Sequence, residues 1–142
     1  MGEPTNAADV ASGLNRALPL QARDAIAASL AAGILPGVEG IALREPLRRM
    51  AAAEIADLER LSGRVASLGA SPTVRVQKVE LPKTLKPALR ALRDMQRETL
   101  DALVAAIPAD ADDAEGEATE HLLEHVIARK RDDLELLERA IR

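Results

Sequence analysis

Apolar residues recur at coiled-coil spacing in the C-terminal part of the chain: Leu123, Ile127, Leu134, Leu137 and Ile141. The slot between Ile127 and Leu134 should also be apolar, and it holds Lys130. A lysine in the inward seam of a helix is costly unless an opposite charge answers it. Three earlier stretches have the same helical periodicity, each with one polar break. Leu14, Leu18, Ala25 and Ala28 are interrupted by Gln21. Leu47, Ala51, Leu58, Leu61, Val65 and Leu68 are interrupted by Glu54. Leu85, Leu89, Leu92, Leu103 and Ile107 are interrupted by Gln96, with Thr99 also in line. The pattern predicts four helices, over about 7–32, 41–68, 82–107 and 117–141.

Breakers punctuate these helices. Pro19 removes a backbone donor inside the first and predicts either a kink or a helix that starts there. Residues 33–40 (GILPGVEG) read as a turn. Pro46 is expected in the first turn of the second helix, and Gly69 suits the position just past its end. Over residues 70–81, Val74, Val76 and Val79 alternate with polar residues between Pro72 and Pro82, which suits an extended segment. Pro108 ends the third helix. A helix of ~26 residues is roughly 39 Å long. A dozen extended residues reach roughly 40 Å. The segment after the second helix can therefore climb the whole assembly, so the second and third helices can run parallel. The other two connections are short and make antiparallel hairpins. The expected architecture is an all-α four-helix bundle of two hairpins joined by one long crossover. It occupies residues 7–142 as one domain, behind a flexible tail over residues 1–6.

All four polar breaks lie near mid-helix and should meet at one height. Gln21 and Glu54 are separated by nearly the same interval as Gln96 and Lys130, as two copies of one hairpin would give. Asp57 and Asp133 each stand three residues after the break, on the same face one turn on.

The 142 residues contain no Cys, Phe, Trp or Tyr. Thiol chemistry and disulfides are excluded, and the aromatic platform that usually holds single-stranded nucleic acid is missing. A formal charge of −4 argues against a nucleic-acid surface. No apolar run approaches the roughly 20 residues of a membrane span. The opening residues are polar, without the features of a secretory leader. A soluble, cytoplasmic protein with no membrane partner is expected. The acidic stretch over residues 109–117 reads as a solvated loop whose carboxylates favour the start of the fourth helix; a cation-gathering mouth is the sharper alternative. His121 and His125, one turn apart near Glu124, could chelate a transition metal, but they lie off the seam and read first as solvated surface histidines. Arg44, Arg48 and Arg49 make a small basic face, an ordinary charged surface before a phosphate site. No Gly-rich phosphate loop or Ser/His/Asp constellation stands out.

With these residues in view, the chain resembles the ferritin-like superfamily, nearest to bacterioferritin-type subunits. The resemblance covers about residues 14–142. Its most specific stretches are Leu14-Asn15, the segment RVASLGASP over residues 64–72, and the end of the fourth helix. It implies a Glu on each helix, and a His three residues after it on the second and fourth. In that family these ligands hold two iron ions that oxidise Fe(II) with oxygen. Carried over by position, the glutamates fall at Gln21, Glu54, Gln96 and Lys130, and the histidines at Asp57 and Asp133. Only Glu54 is kept in kind. The haem-ligating Met of bacterioferritins falls at Ile55, so haem is not implied.

The departure has a physical logic. Two iron ions offset several buried carboxylates, and without them that charge must be reduced or paired. Gln21 and Gln96 reduce it, and Lys130 is expected to sit in the former metal space as a tethered counter-ion between Glu54, Asp57 and Asp133. No metal or other cofactor is then expected, with iron or manganese on the surviving carboxylates as the alternative. The leading expectation is a non-catalytic structural or interaction protein, a homo-oligomer whose protein partner the sequence does not name. An iron-binding or oxidoreductase protein with altered ligands is the rival, and a small-ligand module built on the polar layer is a third reading.

Overall fold

The chain forms four helices: α1 (Ala7–Ile34), α2 (Gly37–Ser67), α3 (Leu85–Ala105) and α4 (Ala114–Ile141). The computed structural model describes residues 6–109 and 113–142, and among these there is no strand. The tail expected over residues 1–6, apart from Asn6, and residues 110–112 of the acidic stretch lie outside the described residues.

Local chemistry sets the helix ends. Asn6 opens α1, its Oδ1 accepting from the Ala8 and Asp9 amides at 3.0 and 3.3 Å. Asp113 opens α4 by accepting from the Gly116 amide at 2.7 Å. At the end of α2, Gly69 takes φ 86°. The Gly69 amide then reaches the Ala66 carbonyl at 3.0 Å and the Ala70 amide the Val65 carbonyl at 3.2 Å, a complete Schellman closure. Lys86 Nζ donates to the last carbonyls of α4, at Ala140 and Ile141, at 3.0 and 2.6 Å.

One of the two alternatives for the first helix is set aside, and the start of the second helix is corrected. α1 runs unbroken through Pro19 and does not start there. Buried Leu14, Ala17, Leu18, Gln21 and Ala22 flank the proline, and their packing outweighs the lost backbone bond. α2 starts at Gly37, so Pro46 lies well inside it and not in its first turn. Gly37, at φ 75°, lets the chain reverse directly after Leu35 and Pro36. The reversal is tight: a Cβ on Gly40 would meet the Leu35 carbonyl oxygen at 2.4 Å.

Neighbouring helices are antiparallel. Gln21 with Glu54 and Arg44 with Ala32 set the sense of α1 against α2. Arg23 with Glu98 and Gly13 with Ala106 do so for α1 and α3. Asp57 with Arg129 and Arg64 with Thr119 align α2 and α4. α2 and α3 therefore run parallel across the diagonal, and the strap of residues 69–84 must climb the bundle. Ala70 packs on one apolar cluster, around Leu14, Leu18, Leu61, Leu103 and Leu123. Val79 and Leu81 pack on another, around Ala28, Leu47, Leu89 and Leu137. Asn15 pins the start of the strap, donating from Nδ2 to the Ser71 carbonyl at 3.1 Å and accepting from the Thr73 amide at 3.0 Å.

Asn15→Ala removes both contacts while leaving the helices intact. It is expected to lower stability by ~1–2 kcal/mol. Thermal unfolding should show the loss, and hydrogen exchange should show faster exchange at Thr73 than in the helices.

Candidate functional site

The two apolar clusters are separated at mid-height by a polar layer. Each helix contributes a residue and another one turn on: Gln21 and Asp24 from α1, Glu54 and Asp57 from α2, Gln96 and Thr99 from α3, Lys130 and Asp133 from α4. All are buried except Asp133, which is half-buried; Lys130 is only 2% exposed. The side-chain directions of a helix put i and i+3 on one face, so the four helices carry eight polar groups at about one level.

Lys130 is the hub. Its Nζ donates to Asp24 Oδ2 and to Glu54 Oε1, each at 3.1 Å. Gln96 Nε2 also donates to Glu54 Oε1. Gln21 Nε2 donates to the Glu54 backbone carbonyl at 3.0 Å. Asp24 has a second cation, Arg23, whose Nη2 stands 3.2 Å from Oδ1. That guanidinium is anchored to the Met95 carbonyl at 2.9 Å and to Glu98 at 3.1 Å. Three buried acceptors find no donor among the described residues: Gln21 Oε1, Glu54 Oε2 and Gln96 Oε1. Each such atom costs roughly 1–3 kcal/mol, so the layer is rich in oxygen acceptors and short of hydrogens.

Of the three expected partners of Lys130, Glu54 is paired with it, and Asp57 and Asp133 are not within hydrogen-bonding distance of the amine. Asp57 turns away from it and pairs with the arginines at the bundle's edge, taking Arg129 Nε on Oδ2 at 2.9 Å and Arg60 Nη1 on Oδ1 at 3.0 Å. Asp24 takes the expected place of Asp57 beside the amine. The signal for Asp24 was present: it stands three residues after Gln21, just as Asp57 follows Glu54 and Asp133 follows Lys130. Arg23 and Arg129 had no such signal, because a surface arginine and one folded back over a buried carboxylate read alike along the chain.

Burial raises the Asp24 and Glu54 carboxyls, and Lys130 pulls both back. Burial, followed by the charge of Glu54, pushes Asp133 up to about 8. With Glu54 charged nearby, a second negative charge on Asp133 is disfavoured, so the proton is held there. Among the described residues, no group of three or more His, Cys, Asp or Glu is arranged to hold a metal ion. His121 and His125 lie exposed on α4, apart from the layer, with their Nε2 atoms 3.2 Å apart. The basic face is tied up locally: Arg44 donates to the Ala32 carbonyl at 3.2 Å, and Arg48 and Arg49 flank Glu45 at 3.8 and 3.9 Å.

The raised Asp133 carboxyl fixes the sign of a pH dependence. The folded chain keeps that proton to about pH 8, whereas the unfolded chain releases it near the ordinary aspartate value of 3.8. Stability from this group is full below the lower value and falls as pH rises through the upper one. Asp133→Asn is expected to flatten the decline and to raise the melting temperature most at pH 8–9, read by calorimetry across pH.

No protein-family model matches the chain, and no curated protein matches it in sequence. Solved structures do match. A ferritin-like diiron-carboxylate protein from Bacillus anthracis str. Ames superimposes with a TM-score of 0.86 at 20% identity, covering 96% of this chain and 97% of that one. The dodecameric thioferritin from Bacteroides fragilis, a bacterioferritin-related protein, gives 0.84 at 13% identity over 96% and 86%. The Dps protein from Vibrio cholerae O1 gives 0.84 at 14% over 100% and 99%. The chain therefore has the ferritin-like four-helix bundle fold.

Proposed function

We propose that this protein is a ferritin-like bundle in which a tethered ammonium stands where diiron-carboxylate proteins carry metal, and that it serves as a non-catalytic structural or interaction protein. The observation that carries this reading is Lys130 Nζ at 3.1 Å from both Asp24 and Glu54. Two iron ions do not fit such a donor set. The amine is itself a cation among the carboxylates, both amides are weaker ligands than carboxylates, and no imidazole is at hand. The unpartnered amide and carboxylate oxygens suit this history, since acceptors arranged for cations of higher charge are left over when a single ammonium replaces them.

Self-association is part of the proposal. Ile26, Leu30, Ile34, Val38 and Ile41 are exposed around the α1–α2 turn, a concentration of apolar side chains that water disfavours. The thioferritin of similar fold is dodecameric. A cytoplasmic setting without nucleic-acid or membrane partners suits the acidic balance of −4.

A rival reading keeps iron chemistry on altered ligands, favoured by the two carboxyls, Asp24 and Glu54, that meet at Lys130. Fe(II)-dependent oxygen consumption separates the two: none above background is expected, and turnover with two metal ions per chain would end the proposal. Two variants sharpen it. Lys130→Met leaves buried carboxylates unpaired and is expected to cost ~3–5 kcal/mol. Lys130→Glu adds another anion and is expected to fold poorly alone but to gain melting temperature with Mn²⁺. The native chain should show no gain from Mn²⁺.

A further inference from the structure

His121 and His125 stand one turn apart on exposed α4, clear of the buried layer. Their Nε2 atoms are 3.2 Å apart. The ring centroids are 4.5 Å apart with planes at 88°, so the rings are angled toward each other and not aligned end to end. Two nitrogens on adjacent positions of one first-row transition ion, each bound at ~2.0–2.1 Å, are separated by roughly 2.9–3.4 Å from square to tetrahedral angles. The observed spacing falls within that range before any ion is added.

A hydrogen bond between neutral imidazoles explains the same spacing, with one Nε2 protonated and the other bare. A metal ion takes both nitrogens bare and displaces that proton. Nothing must be dragged into place, because both rings ride one continuous helix at the i and i+4 positions. The surroundings favour a cation. Glu117, Glu120 and Glu124 line the same shallow groove as His121, and their field raises the local concentration of positive ions. No third ligand completes a cage among the described residues, so water fills the remaining positions. Such a site is weaker than a four-ligand structural zinc site. Imidazole nitrogens favour borderline ions over Mg²⁺ or Ca²⁺, with Cu²⁺ strongest.

We propose that His121 and His125 form a surface site for one divalent first-row transition ion, Cu²⁺ or Zn²⁺, which clamps a turn of α4 and is independent of the buried layer. The test uses the full chain, untagged and stripped of metal. Titration with Cu²⁺, followed by calorimetry and electron paramagnetic resonance, should give one ion per chain with nitrogen ligands. Zn²⁺ should raise the melting temperature. His121→Ala and His125→Ala should each weaken binding by roughly tenfold or more. The double variant should lose both the nitrogen signature and the Zn²⁺ effect, with its metal-free melting temperature unchanged. Binding that survives the double variant, or a spectrum without nitrogen ligands, overturns the proposal.

Discussion

An amine in the core of a helical bundle is tolerable only when its charge is answered within hydrogen-bonding distance. Lys130 meets that condition with carboxylates from two other helices, Asp24 and Glu54. The constraint reaches the whole molecule. Sliding any one helix past its neighbours by a turn would strand an ammonium or a carboxylate in apolar surroundings. The aliphatic clusters above and below are permissive by comparison, since leucine and alanine pack acceptably in more than one register. The charged layer therefore specifies which arrangement of four helices is the native one.

The same layer does not maximise stability. Three buried acceptors lack donors among the described residues, and burial, followed by the charge of Glu54, pushes the Asp133 carboxyl up to about 8. Apolar side chains of similar volume would avoid these costs. The proposed loss of metal would account for the imbalance, with one lysine inside and Arg23 and Arg129 folded over the edges supplying the positive charge. Net charge is thereby nearly cancelled, while hydrogen-bond demand is not fully met.

Much of this was legible along the chain. Periodicity exposed four helices and one polar break in each, and the extended length of the strap was enough to imply parallel second and third helices. What escaped had physical causes. Pro19 and Pro46 were given the weight that isolated helices would give them, whereas both helices continue through their proline, with buried residues on both sides of Pro19. Asp24 escaped because the i+3 relation was read on the second and fourth helices and not on the first, although Thr99 and Asp24 complete it on all four. The turn of Asp57 toward Arg60 and Arg129 depends on which neighbour lies across the groove, and no spacing within one helix contains that information.

An interior without aromatic rings has an optical consequence. Without Phe, Tyr or Trp the polypeptide has no near-ultraviolet chromophore of its own, so the folded protein is almost transparent above the peptide bands. Any colour, absorbance or emission in a purified sample must come from something bound to it. A single tryptophan placed beside the lysine layer would then report on that layer alone, against a dark background.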